Sequence, residues 1–192
     1  MTSTIKQSGA LANAASDMNV LLTTSQTIGP FSHEAWRWAV DATAQMSSSA
    51  PTITISGVIY DGDGTPMNDA MIEAWLPGSA SVEAAHAIPG FRRVPSAEDG
   101  SFQFTLSMPL ATESAQLGQP AMFVTVFARG LVKHQFTAVF LEDDAGLADA
   151  PILTQVPAER RITLIAIKQA ERSYRWDIWM QTDKETVFFD YV

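Results

Sequence analysis

The side chains best suited to hold a metal are three histidines, His33, His86 and His134, and three tyrosines, Tyr60, Tyr174 and Tyr191. They stand far apart in unlike contexts, so a metal site would require distant segments to converge with carboxylates. The local motifs fail one by one. His33-Glu34-Ala35-Trp36-Arg37 begins like a zinc-protease helix, but the fifth position must be a second histidine on the same helical face, and it is Arg37. Asp61-Gly62-Asp63-Gly64 begins like a calcium loop, yet Thr65 and Pro66 stand where a third oxygen ligand and the sharp-turn glycine are needed. A hairpin turn fits that segment better. Glu142-Asp143-Asp144 follows a strand and could hold a cation, although a solvated turn is the default reading. The chain has no cysteine, which rules out disulfides, thiolate metal sites and cysteine nucleophiles. It also lacks a glycine-rich phosphate loop and a Gly-x-Ser-x-Gly elbow. On these residues alone the chain shows no convincing catalytic apparatus of its own.

Arg129 is different. In Phe127-Ala128-Arg129-Gly130 it ends a very apolar stretch and precedes a glycine. A charge there must emerge at the rim of the fold or find an anionic partner. The planar guanidinium suits a carboxylate, and that carboxylate can come from the chain itself or from a ligand.

The elements that would position these residues are strands. Residues 52–60 alternate with period two, and the turn from Asp61 to Pro66 follows them. Residues 70–76 read as the next strand, with Ile72, Ala74 and Leu76 on one face and Trp75 on the other. Further strands are expected at 101–107, 122–128, 134–141, 162–167, 174–180 and 186–189. About eight short strands with turns between them predict an all-β fold, a β-sandwich with little helix. Residues 1–22 are rich in Ser, Ala, Asn and Thr and read as an N-terminal arm, and residues 33–44 as a short helix carrying Trp36 and Trp38.

With 12 basic against 21 acidic residues, the net charge of −9 repels a phosphate backbone and excludes nucleic acid as a partner. No apolar run reaches the roughly 18–20 residues of a membrane-spanning helix. The first residues contain no apolar segment of the secretory kind, so a cytoplasmic protein is expected. Charged residues are 17% of the chain, against about 25% usually. Two readings account for that: part of the surface is covered by another subunit, or the surface is rich in Ser, Thr and Ala.

Several ordered segments together resemble a known family. They are Ser25-Gln26-Thr27-Ile28-Gly29-Pro30, the hairpin from Gly57 to Trp75, Phe127-Ala128-Arg129-Gly130-Leu131, Arg160-Arg161-Ile162-Thr163-Leu164-Ile165-Ala166, Tyr174-Arg175-Trp176-Asp177-Ile178, and Glu185-Thr186-Val187-Phe188-Phe189-Asp190-Tyr191. The set resembles the intradiol ring-cleaving dioxygenases, in particular their α-type subunits, over roughly residues 23–192. The resemblance implies a β-sandwich of the intradiol dioxygenase type and a hetero-oligomer of α and β subunits. It also implies an Fe(III) ion held by two tyrosines and two histidines of the β subunit. Such a complex opens 3,4-dihydroxybenzoate between its hydroxyls with O2, giving 3-carboxy-cis,cis-muconate.

The resemblance implies that this chain does not hold the iron. A catalytic member carries a His-x-His pair where this chain reads Ala121-Met122-Phe123, and tyrosines after the strand tryptophan and near residues 108–110, where this chain has none. It further implies that Thr27, Gly29, Pro30, Phe31 and Arg129 line the substrate cavity beside the partner's iron, with Arg129 supplying positive potential. Residues 1–51 then form an arm and pocket-lining segment, and residues 52–192 the sandwich domain. Two departures bear on substrate contacts: Phe31 stands where α subunits often have tyrosine, and Thr137-Ala138-Val139-Phe140-Leu141 replaces Thr-Arg-x-Tyr-Phe. The alternatives are a sandwich accessory module of the carboxypeptidase-regulatory type, without enzymatic role, and an α-like subunit serving a related catechol such as gallate.

Overall fold

In the computed structural model, the residues described are 40, 51–77, 83, 85–107 and 117–190. The segment with Thr27, Gly29, Pro30 and Phe31 lies outside them, as does the expected helix at 33–44 apart from Val40, which is helical. Among the described residues no helix is long and apolar enough to cross a membrane.

Among the described residues nine strands run in chain order: β1 Thr52–Tyr60, β2 Met71–Trp75, β3 Phe91–Pro95, β4 Ser101–Ser107, β5 Met122–Phe127, β6 Gln135–Leu141, β7 Ile165–Ala170, β8 Ser173–Arg175 and β9 Ile178–Trp179. Their order across the sheet is β3-β2-β5-β6-β7-β8-β1-β4, with β9 also paired to β1. A short parallel pairing of Phe140 with Ile165 joins the two halves. Alternation in β1 buries Ile53, Ile55 and Ile59 and leaves the intervening residues half-exposed. These meet Ile72 and Ala74 of β2, Phe102 and Phe104 of β4, and Met122, Val124 and Val126 of β5 in one core cluster. Strand β6 is covered on both sides, because Ala138 and Phe140 pack into a second cluster with Leu153, Val156 and Leu164. The one-turn helix Pro151–Thr154 supplies Leu153 to that cover.

The structure corrects several expected strands. Residues 162–167 split, since a 3₁₀ stretch, Ala158–Leu164, precedes β7. Pro157 leads into it, and Thr163 locks it by donating its hydroxyl to the Arg160 carbonyl (2.8 Å) while accepting the Val187 N–H (3.1 Å). Residues 174–180 keep one register against β1 but break at Trp176-Asp177. At that break a Cβ on Gly57 would lie 1.7 Å from the Trp176 carbonyl oxygen. Only glycine allows this approach. There the Asp177 carboxylate, not a main-chain carbonyl, accepts the Val58 N–H at 2.9 Å. Residues 186–189 make only a single bridge, Phe136 to Phe189.

Tyr174 fastens the β7–β8 turn to the end of β6. Its hydroxyl donates to Asp143 Oδ1 at 2.9 Å, and Lys168 Nζ lies 2.6 Å from the other oxygen. Burial, then the hydrogen bond and charge of Asp143, push the phenol up to about 12. A folded-state value above the unfolded one favours folding below the ordinary value of 10.0 and ceases to do so as pH rises through about 12. Tyr174→Phe is expected to lower unfolding free energy by about 1 kcal/mol, the usual net worth of one hydrogen bond. It should also flatten the decline in stability across that alkaline window in urea titrations.

Candidate functional site

Arg129 sits at the corner of a turn that its neighbours dictate. Ala128 is buried at the end of β5, Gly130 has φ +89°, and the Leu131 N–H closes the turn on the Ala128 carbonyl at 3.2 Å. A positive φ at the third position of such a turn favours glycine. A Cβ at Gly130 would meet no atom, so the requirement is purely conformational. The corner pushes the Arg129 side chain outward, where it is 69% exposed. Both outcomes expected of that charge occur together: it emerges at the rim, and Asp69 Oδ2 lies 2.9 Å from its Nε.

Asp69 carried no signal of its own in the sequence. The signal lies in the register: β2 and β5 pair Met71 with Phe127 and Trp75 with Phe123. Continuing that antiparallel register by two residues sets Asp69 opposite Arg129.

The outward face of these strands is aromatic where the resemblance implies metal donors in a catalytic member. Ala121 and Phe123 offer no donor atom. Phe123 stacks on Phe136 (ring centroids 5.7 Å apart), which meets Phe189 edge-on. These rings, with Ile152, Val156 and Val187, line an apolar cavity of about 390 Å³. The described tyrosines are engaged elsewhere, Tyr60 stacked on Trp179 and Tyr174 bonded to Asp143. Among the described residues no group of three or more His, Cys, Asp or Glu side chains could hold a metal ion. At these positions, then, the described residues offer an iron no tyrosine or histidine ligand.

The loop after β2 holds a buried ionic cluster that sequence reasoning missed altogether. Glu83 is fully buried and faces Arg92 of β3 in a two-pronged contact, Oε1 to Nη2 at 2.5 Å and Oε2 to Nη1 at 3.0 Å. The Gly90 N–H donates to Glu83 Oε2 at 2.8 Å, and His86 Nδ1 lies 3.6 Å from the same oxygen. Burial alone would push this carboxyl up. The hydrogen bonds from Arg92 and Gly90 outweigh burial and hold it at about 2. Arg92 Nε also donates to the Thr105 carbonyl of β4 at 2.9 Å. Next along β3, Arg93 faces outward to Glu73. This alternation explains why β3 was not expected: its two consecutive arginines break the apolar pattern, and each is neutralised on its own face.

Among known proteins, no family model matches the chain. The protocatechuate 3,4-dioxygenase alpha chain of Burkholderia cepacia is 33% identical over 190 residues, covering 88% of this chain and 96% of the relative. That of Pseudomonas putida is 28% identical over 197 residues with the same coverage. Among solved structures, the dioxygenase domain of a dioxygenase carbohydrate-binding protein fusion from Streptomyces sp. SirexAA-E superposes with a TM-score of 0.51 at 17% identity. The match covers 74% of this chain and 85% of that one. Hydroxyquinol 1,2-dioxygenase from Pseudomonas putida DLL-E4 gives a TM-score of 0.50 at 18% identity over 69% of this chain and 57% of its own. These two show the fold. The sequence relatives show more: the chain belongs to the family of protocatechuate 3,4-dioxygenase alpha chains.

Proposed function

We propose that this chain is the non-catalytic α subunit of a complex that cleaves protocatechuate with O2, and that the Fe(III) ion belongs to a β-type partner. That ion, when bound, supplies the ring-opening chemistry. This chain's part is to complete the pocket. Arg129 offers its terminal amino groups to the substrate carboxylate, and Thr27, Gly29, Pro30 and Phe31 form a further wall. One observation carries the reading: Ala121 and Phe123, at the start of β5, are apolar at the histidine positions of a catalytic member, yet the turn after β5 bears an exposed guanidinium.

The test is to purify the chain alone and after co-expression with its β-type partner, then measure iron, visible absorption and ring cleavage. The lone chain should bind no iron and show no tyrosinate-to-iron band, and both band and turnover should accompany the partner. Iron and turnover in the lone chain would overturn the assignment. An assembly that never contains a second kind of chain would do the same.

A further inference from the structure

We propose that Asp69 is a positioning residue, which holds Arg129 by its Nε so that the two terminal amino groups face the substrate carboxylate. The inference rests on the reading of Arg129 given above. It starts from which nitrogen is engaged. Asp69 Oδ2 lies 2.9 Å from Nε, the inner nitrogen of the guanidinium, and not from the terminal pair. Bidentate recognition of a carboxylate needs two parallel N–H groups. A fork paired at Nε still offers the terminal edge, and among the described residues the ion pair with Asp69 is the contact that engages Arg129.

The burial is graded in the right direction. Asp69 is 23% exposed and Arg129 69%, so the anchor is the more fixed partner and the fork the more accessible one. The anchor is itself fixed by its neighbour. The N–H of Ala70 donates to Ser96 Oγ at 3.0 Å, and the Ser96 N–H returns to the Ala70 carbonyl at 2.9 Å. An unanchored arginine samples many rotamers, and binding must then freeze them.

Charge and position can be separated experimentally. Asp69→Asn removes the negative charge but keeps an oxygen facing Nε, whereas Asp69→Ala and Asp69→Val remove both. Binding of 4-hydroxybenzoate and of phenol to the assembled complex, measured by titration calorimetry, gives a carboxylate preference without turnover. Iron content and assembly state are checked on every variant. The preference should fall about three- to tenfold from Asn to Ala, the ordering cost of one rotamer-rich side chain. Val should match Ala and serves in its place if Ala does not assemble. The difference should vanish in an Arg129→Ala background. In steady state, Asp69→Ala should raise KM for protocatechuate relative to Asp69→Asn. Equal preference in the Asn, Ala and Val variants, with Arg129→Ala still lowering it, overturns the role of Asp69 alone. An unchanged preference in Arg129→Ala overturns the reading of Arg129 beneath it.

Discussion

Glu83→Ala is expected to lower the unfolding free energy by about 3–5 kcal/mol, because it leaves the Arg92 guanidinium buried without its counter-charge. The expectation rests on depth and geometry together. Glu83 is fully buried and Arg92 is 3% exposed. Their two-pronged contact is joined by the Gly90 N–H. Replacing both partners, as in Glu83→Leu with Arg92→Met, removes the charges at once and should cost far less than either single change, since a buried ion pair gains little over packed apolar groups. Urea unfolding followed by tryptophan fluorescence reads these variants. Acid should reproduce the single change in part. The carboxyl is lowered from 4.5 to about 2, so its contribution is complete above 4.5 and is lost as pH falls through about 2. The double variant should not show that acid limb. A double variant as unstable as Glu83→Ala would mean that shape, and not charge, governs the site.

Arg129→Ala should reduce kcat/KM of the assembled complex for protocatechuate by about ten- to a hundredfold, the worth of one hydrogen-bonded charge at 1.5–3 kcal/mol. Catechol, which has no carboxylate, should be turned over almost as before. The loss should lie in KM, because a contact with a non-reacting carboxylate acts on bound substrate and transition state alike. The effect should also shrink with added salt, since the side chain is largely exposed. Equal losses for both substrates would remove Arg129 from the carboxylate site. The fold should be indifferent to this change, because the Asp69 pair is at the surface and such pairs contribute little.

The sandwich was legible because the sequence of β1, β2, β4, β5 and β6 obeys a simple rule: apolar side chains alternate, or run unbroken where both faces are covered. Trp75 and Ile72 lie on opposite faces as their spacing requires, one half-exposed and one buried. The rule misled at 162–167, where β-branched residues suggested a strand but Ile162 points outward from a 3₁₀ stretch, 59% exposed. It missed β3, whose arginines are satisfied by Glu83 and Glu73, and no local pattern announces a partner that many residues of chain separate. At the candidate site, Arg129 was visible as a charge without an obvious home. Asp69 was not, because its role arises only when two strands are laid side by side.

Strands β3 and β4 stand at opposite ends of the strand order, and one guanidinium, that of Arg92, touches both. That gives the two margins a common fate. Were the arginine released, by acid or by loss of its glutamate, both margins would loosen in the same event, and each could then recruit a foreign strand. The clasp therefore guards both exposed margins through one contact.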